Sequence, residues 1–403
     1  MRHLEHTMPS PRPVRALTAL LITAIACAGE ITLPDPLLAG DGTRIADVRS
    51  WTTRRRGELL ETFRREVYGR NPVERPDNLS FTITQRQPGA MGGAADLRQV
   101  RIAWTGPHGS GGMDLTLFVP TARRADAPCM LLICNRGRRN IDPTRTSRSG
   151  FWPAEEIVAR GYAAAAFHVG DVDPDKNDGF ADGVHAVFDE PTSPRPGDAW
   201  ATIAAWAWGA SRAVDYLVQD RDIDARRIAV VGHSRGGKTS LWCGAQDERV
   251  ALTVSNCSGS SGAAASRGKS GQDIAAITRE FPHWFCGNYA AWGGREWQMP
   301  FDQHEVLALC APRLVYVGSA SKDWGADPRA EFRSCVAASP VWDLWRKTGL
   351  GATAMPAAGS PLHEGSIGYH LRDGEHDLTP WDWQRFMDFA DRHMTGAARP
   401  GQR

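Results

Sequence analysis

The stretch Val230-Val231-Gly232-His233-Ser234-Arg235-Gly236-Gly237-Lys238, VVGHSRGGK, decides the fold. An aliphatic run ends in a serine boxed by glycines, and TSLWCGA follows as a helix former. A strand, a sharp turn and a helix are the setting in which a serine oxygen is presented at the top of a sheet, and Gly232 and Gly236 are small because such a turn leaves no room for side chains. Ser234 is therefore the candidate nucleophile. The bland alternative is a serine in an ordinary glycine-rich turn.

Working outward, short apolar runs recur at 129–135 (CMLLICN), 162–169 (YAAAAFHV), 227–233 (RIAVVGH), 251–256 (ALTVSN) and 313–319 (RLVYVGS). Longer helix-like segments such as Trp200 to Val218 separate them. Continuous apolar strands alternating with helices predict a mostly parallel sheet covered on both faces. The fold class is α/β, a three-layer sandwich of the α/β-hydrolase kind. Chemistry in such sheets gathers at the carboxyl ends of the strands. Upstream, WTTRRRGELLETFRREVY (51–68) places Leu59, Leu60, Phe63 and Val67 on one helical face, with Gly69 and Pro72 ending the helix. On that helix, Arg54, Arg55 and Arg56 read as a solvated face. The loop 170–179 (GDVDPDKNDG) lacks the glycine and glutamate of a calcium loop and reads as an Asp-rich turn.

The 403 residues carry 47 basic and 46 acidic side chains, so net charge recruits neither nucleic acid nor an anionic membrane. Arg12 and Arg15 precede an apolar run from Ala16 to Ala28 that ends in Ala26-Cys27-Ala28. This is too short to span a bilayer and reads as a signal peptide over 1–28, which implies a secreted or periplasmic protein. The rival is a lipoprotein signal on Cys27. No later segment is apolar enough to cross a membrane. With no repeat or linker to divide the rest, 29–398 is expected to form one α/β-hydrolase domain with an N-terminal helical extension, acting as a monomer. The other seven cysteines lack zinc-site spacing and read mostly as small buried hydrophobes, with one disulfide possible; no metal site is expected.

A serine nucleophile needs a base, and the base needs an orienting group; in this architecture they follow in the order serine, acid, histidine. In SASKDWGADP, just past RLVYVGS, Asp323 and Asp327 compete for the acid, with Asp323 nearer the strand end. His376, in RDGEHDLTPWDW, lies in a turn leading into an apolar C-terminal helix, where the last loop of the sheet delivers the base. His363, His370 and His393 read as structural or exposed. Arg235 supplies a backbone N–H and a guanidinium for the charge that develops on a carbonyl oxygen, a stabilisation of roughly 3 kcal/mol. Lys238, one helical turn on, is placed to bond hydroxyls of a polar substrate. Two cations at a helix N-terminus oppose the helix dipole, so a structural reading leaves them unexplained.

GHSRGGK resembles the serine motif of the glucuronoyl esterases, carbohydrate esterase family fifteen, especially the bacterial members. LPDPLLAGDG, SNCSGSSGAAASR, EFPHWFCGNY, MPFDQHEVLALCAPRLVYVGSASKDWGADPRAEF and GYHLRDGEHDLTPWDW extend the resemblance over most of the chain. It implies Ser234 as nucleophile, His376 as base, Arg235 as oxyanion stabiliser, Lys238 as a sugar ligand, and Trp324, Gln272 and Trp284 as pocket residues. It also implies an exported esterase without cofactor, hydrolysing 4-O-methylglucuronoyl esters that join plant cell-wall glucuronoxylan to lignin alcohols. The chain departs from the family pattern in three places. Cys257 stands where fungal members carry a glutamate before a Ser-Gly pair, so the acid must come from the next strand, as Asp323 would. Gln272 replaces an expected glutamate, and the oxyanion loop NRGRRN (135–140) differs from the glycine- and asparagine-rich version. Two alternatives compete with this reading: another carbohydrate carboxylesterase, acting on acetyl or related acyl esters, and a catalytically inactive carbohydrate-binding relative.

Overall fold

A computed structural model describes residues 31–123 and 125–394. The expected signal over 1–28 lies outside the described residues. Contacts divide the chain into Met1–Thr32 and Leu33–Arg403, and the second unit holds the sheet.

Its centre is a nine-stranded sheet in the order β1-β2-β3-β5-β4-β6-β7-β8-β9. The strands are β1 Ser80–Ala90, β2 Ala95–Gly106, β3 Gly109–Pro120, β4 Ala127–Cys134, β5 Ala163–His168, β6 Ile223–His233, β7 Leu252–Asn256, β8 Leu314–Ala320 and β9 Ile367–Arg372. Pairings from β5 through β9 are parallel, whereas β1, β2 and β3 form an antiparallel meander joined to β5. The five apolar runs read from the sequence become β4 to β8, because strands buried on both faces are apolar without alternation. Those of the meander are different. β1 exposes most of its residues, and its polar sequence carries no such signal.

Helices pack on both faces, giving the three layers, and the core divides into two apolar clusters, one on each side. Alternate residues of β4 show the division: Cys129, Leu131 and Ile133 enter one cluster, Met130, Leu132 and Cys134 the other. Most tryptophans serve this core. Trp51, Trp152, Trp200, Trp206, Trp242, Trp342 and Trp383 are fully buried, and only Trp297 and Trp324 are largely exposed among the described residues. The seven described cysteines are all buried and unpaired. No helix among the described residues is long and apolar enough to cross a membrane.

The early helix runs through four consecutive stretches, Val48–Ser50, Trp51–Arg55, Arg56–Phe63 and Arg64–Tyr68, and buries Leu59, Leu60, Phe63 and Val67 as its periodicity predicts. Gly69 ends it at φ +89°, and a Cβ there would sit 2.3 Å from the Ala199 carbonyl oxygen. Its basic triplet is not simply a solvated face. Arg55 is buried and bonds Glu305 at 2.8 Å, and Arg56 donates to the Ala245 carbonyl at 2.8 Å. Burial pushes Glu305 up to about 7, with Arg55 pulling the other way. The Tyr68 ring stacks on Trp242 at 4.4 Å, which ties this segment to the helix behind Ser234.

Candidate active site

β6 ends at His233 and the next helix, Arg235–Gln246, begins two residues on, so Ser234 alone makes the turn. It does so at φ 57° and ψ −125°, a strained backbone for a side chain that is not glycine. Two contacts fix the strain. Ser234 N–H donates to the Asn256 carbonyl at 2.9 Å, and a Cβ on Gly232 would lie 1.9 Å from the Gly236 carbonyl oxygen. As the first helical residue, Arg235 has a backbone N–H with no partner inside the helix, the usual start of an oxyanion-binding site. His233 points away from this role: it is buried, its Nδ1 lies 2.7 Å from Asn256 Oδ1, and burial with the neighbouring His376 holds it well below the ordinary histidine range.

The loop after β8 carries both candidate acids, and their side chains go to different work. Asp323 Oδ2 lies 2.6 Å from His376 Nδ1. Asp327, at φ 59°, caps the Pro328–Ala338 helix by accepting from Ala330 N–H and also accepts from the Ser270 N–H and hydroxyl. Its carboxylate is fully engaged there. His376 arrives from the loop between β9 and the Pro380–His393 helix, with 44% of its side chain exposed and its ring 4.6 Å from that of His233. The structure thus brings Asp323 and His376 together beside the Ser234 turn.

The remaining late histidines are structural. His370 is buried against Asp382 at 2.9 Å, His363 Nε2 meets the Tyr316 hydroxyl at 2.8 Å, and His393 bonds the His363 carbonyl.

Cys257 Sγ, a His376 ring nitrogen and an Asp323 carboxylate oxygen all lie within 4.8 Å of one another. The thiol directly follows the end of β7, and burial, with nearby carboxylates, pushes it well above the ordinary thiol range. It therefore stays neutral and offers His376 no charge.

Lys238 is buried. Its ammonium donates to the Ser258 carbonyl, and burial pulls its pKa down to about 7 against the opposing pull of Glu331. Glu331, also buried, accepts from Ser319 Oγ at 2.6 Å and Gly259 N–H at 2.8 Å. Gln272 is half-buried, bonds Glu280 at 2.7 Å, and reaches the Gly325 carbonyl through its backbone N–H. Trp324 is 77% exposed beside Asp323. Trp284 is buried, stacked on Phe281 at 3.8 Å.

Sequence reasoning missed one residue of this site. Asp175, from the Asp-rich loop after β5, lies 2.6 Å from Arg235 Nε and bonds His283 Nε2 at 2.9 Å and Trp284 Nε1 at 2.8 Å. Burial opposes its ionisation, but these donors and the Arg235 charge hold it below the usual carboxylate range. The available signal was the loop's position at the carboxyl end of a parallel strand.

With an imidazole oriented by a carboxylate at one end and N–H donors at the other, this arrangement suits acyl transfer through a serine. A family profile described as "Glucuronyl esterase, fungi" matches residues 158–345. "Carbohydrate esterase MZ0003", from an unknown prokaryotic organism, is 39% identical over 396 residues, covering 91% of this chain and 90% of its own. A "4-O-methyl-glucuronoyl methylesterase" of Phanerochaete carnosa is 28% identical over 321 residues, 77% of this chain and 71% of its own. Among solved structures, the "Glucuronoyl Esterase from Solibacter usitatus" superposes with a TM-score of 0.84 at 39% identity, covering 89% of this chain and 97% of that one.

Proposed function

The chain belongs to the glucuronoyl esterases, carbohydrate esterase family 15, a family of carboxylic ester hydrolases, and on that premise we propose that it is an exported serine esterase cleaving 4-O-methylglucuronoyl esters between glucuronoxylan and lignin alcohols. The observation that carries the reading is the 2.6 Å contact between His376 Nδ1 and Asp323 beside the Ser234 turn. Asp323 keeps the proton on Nδ1, so Nε2 is the free base. It takes the Ser234 proton as Oγ attacks the uronate carbonyl. Arg235, through its backbone N–H and guanidinium, meets the oxyanion. His376 then protonates the departing alcohol, and water releases the acid from the acyl-enzyme by the same steps. Lys238, Gln272, Trp324 and Trp284 are assigned to the sugar side of the pocket, Lys238 through the ammonium protons left after Ser258. The names of the relatives support the uronate ester, and the family resemblance supports export by the signal over 1–28 and a single domain over 29–398.

Hydrolysis of benzyl and methyl glucuronate esters by the wild type, abolished in Ser234→Ala, is the expected result. A second reading, deacylation of other carbohydrate esters, is favoured by the relative named only as a carbohydrate esterase. Turnover of acetyl esters with none on uronates would replace the first reading by the second, and no Ser234-dependent turnover on either would overturn both.

A further inference from the structure

Arg235 is held from two sides. Its Nε lies 2.6 Å from Asp175 Oδ2, and its Nη2 donates to the Asn135 carbonyl at 2.9 Å. Its guanidinium carbon stands 5.9 Å from the Trp284 ring centroid. Nη2 makes a hydrogen bond, whereas Nε is buried in the ion pair with Asp175 without the geometry of a hydrogen bond. The group is planar and rigid, so a hydrogen bond at Nη2 and an ion pair at Nε together restrict where Nη1 can point.

Asp175 is itself well anchored. Two residues before it, Asp173 accepts Trp206 Nε1 on its carbonyl at 2.7 Å and the Thr202 hydroxyl on its carboxylate at 2.6 Å. The same helix start holds the donors that face Asp175: Thr202 N–H bonds the His283 carbonyl and Ile203 N–H the Trp284 carbonyl. Carboxylate and donors therefore share one frame, the first turn of the Thr202–Leu217 helix. That frame is more than a loop needs merely to close.

We propose that Asp175 is a positioning residue for the acyl-transfer step: with the Asn135 carbonyl it clamps the Arg235 guanidinium so that Nη1 faces the oxyanion. The proposal rests on the serine esterase reading above. A donor fixed in advance stabilises a developing charge without reorganisation, whereas a swinging arginine must be ordered in each turnover. Asp175 partly offsets the arginine's charge, and the clamp requires that the gain in order outweigh that loss.

A double-mutant cycle tests it. Asp175→Ala is expected to lower kcat about tenfold with KM changed less than about twofold, since the clamp acts on the oxyanion and Trp284, though it loses one hydrogen bond, stays stacked on Phe281. In an Arg235→Ala background the same substitution is expected to change kcat by less than about twofold, because nothing is left to position. Single-turnover acylation with excess enzyme reads the slow background. Should Asp175→Ala fail to fold, Asp175→Asn replaces it: the amide oxygen still accepts from His283 or Trp284 while the charge is gone. An equal loss in both backgrounds would mean that Asp175 only supports the His283–Trp284 wall, and an unchanged or raised kcat would mean that no clamp exists. Either overturns the proposal. Running the cycle on both a benzyl glucuronate ester and 4-nitrophenyl acetate separates the two claims. Lack of wild-type activity on the uronate ends the substrate reading, while the coupling is still read on the acetate.

Discussion

Replacing Asp323 by asparagine keeps the shape of the side chain and removes its charge. The carboxylate oxygen is 2.6 Å from His376 Nδ1 and the pair is partly open to solvent, with 9% of the aspartate and 44% of the histidine side chain exposed. When His376 takes the serine proton it becomes an imidazolium facing that carboxylate. Charge centres ~4 Å apart at an effective dielectric of ~20 attract by about 4 kcal/mol. At about 1.4 kcal/mol per decade of rate, the expected loss in kcat for Asp323→Asn is about a thousandfold. Asp327→Asn is the matched control four residues away. Its carboxylate caps a helix and holds Ser270, so it should cost about 1 kcal/mol of stability and leave kcat within about threefold. Steady-state kinetics on a benzyl glucuronate ester, with urea unfolding of each variant, measures both. A hundredfold loss in Asp327→Asn beside a small one in Asp323→Asn would refute the assignment of the acid and the electrostatic argument with it.

Two other variants probe the frame of the site. Gly232→Ala puts a Cβ 1.9 Å from the backbone oxygen of Gly236, so the turn must open; a loss of about 3 kcal/mol in urea unfolding is expected, and a change under about 0.5 kcal/mol would show that the turn is not sterically locked. Burial raises Glu331 from 4.5 to about 7, against hydrogen bonds from Ser319 and Gly259. The folded protein therefore keeps a proton that the unfolded chain gives up, and stability falls as pH rises from about 4.5 through 7, by at most about 3 kcal/mol from this group. Glu331→Gln should lessen the drop in unfolding free energy between about pH 5 and pH 8, and an undiminished drop would place its origin elsewhere.

The nucleophile turn is legible in the sequence because its causes are local. A strand run, a glycine two residues before the serine and another two after it specify the backbone within seven positions, and Ser234 at φ 57° follows from them. The strands β4 to β8 are legible because double-sided burial leaves an unbroken apolar run, whereas the mostly exposed β1 leaves none. The order serine, acid, histidine narrows the acid to two aspartates in one loop. It goes no further, since both follow the same strand and both precede a helix.

Tertiary structure decides the rest. Whether Asp323 or Asp327 meets the histidine depends on where β8 stops and the next helix is capped, across 53 residues from His376. Arg55 reads as solvated until Glu305, 250 residues away, buries it, and nothing beside Lys238 in the chain announces the Ser258 carbonyl, 20 residues on, to which it donates. Asp175 reads as part of a turn because its partners lie 108 and 109 residues on in His283 and Trp284. Short-range sterics and burial period write themselves into adjacent residues, but the partner of a charge is set by which strand ends the sheet brings side by side, and that appears only once the chain has closed on itself.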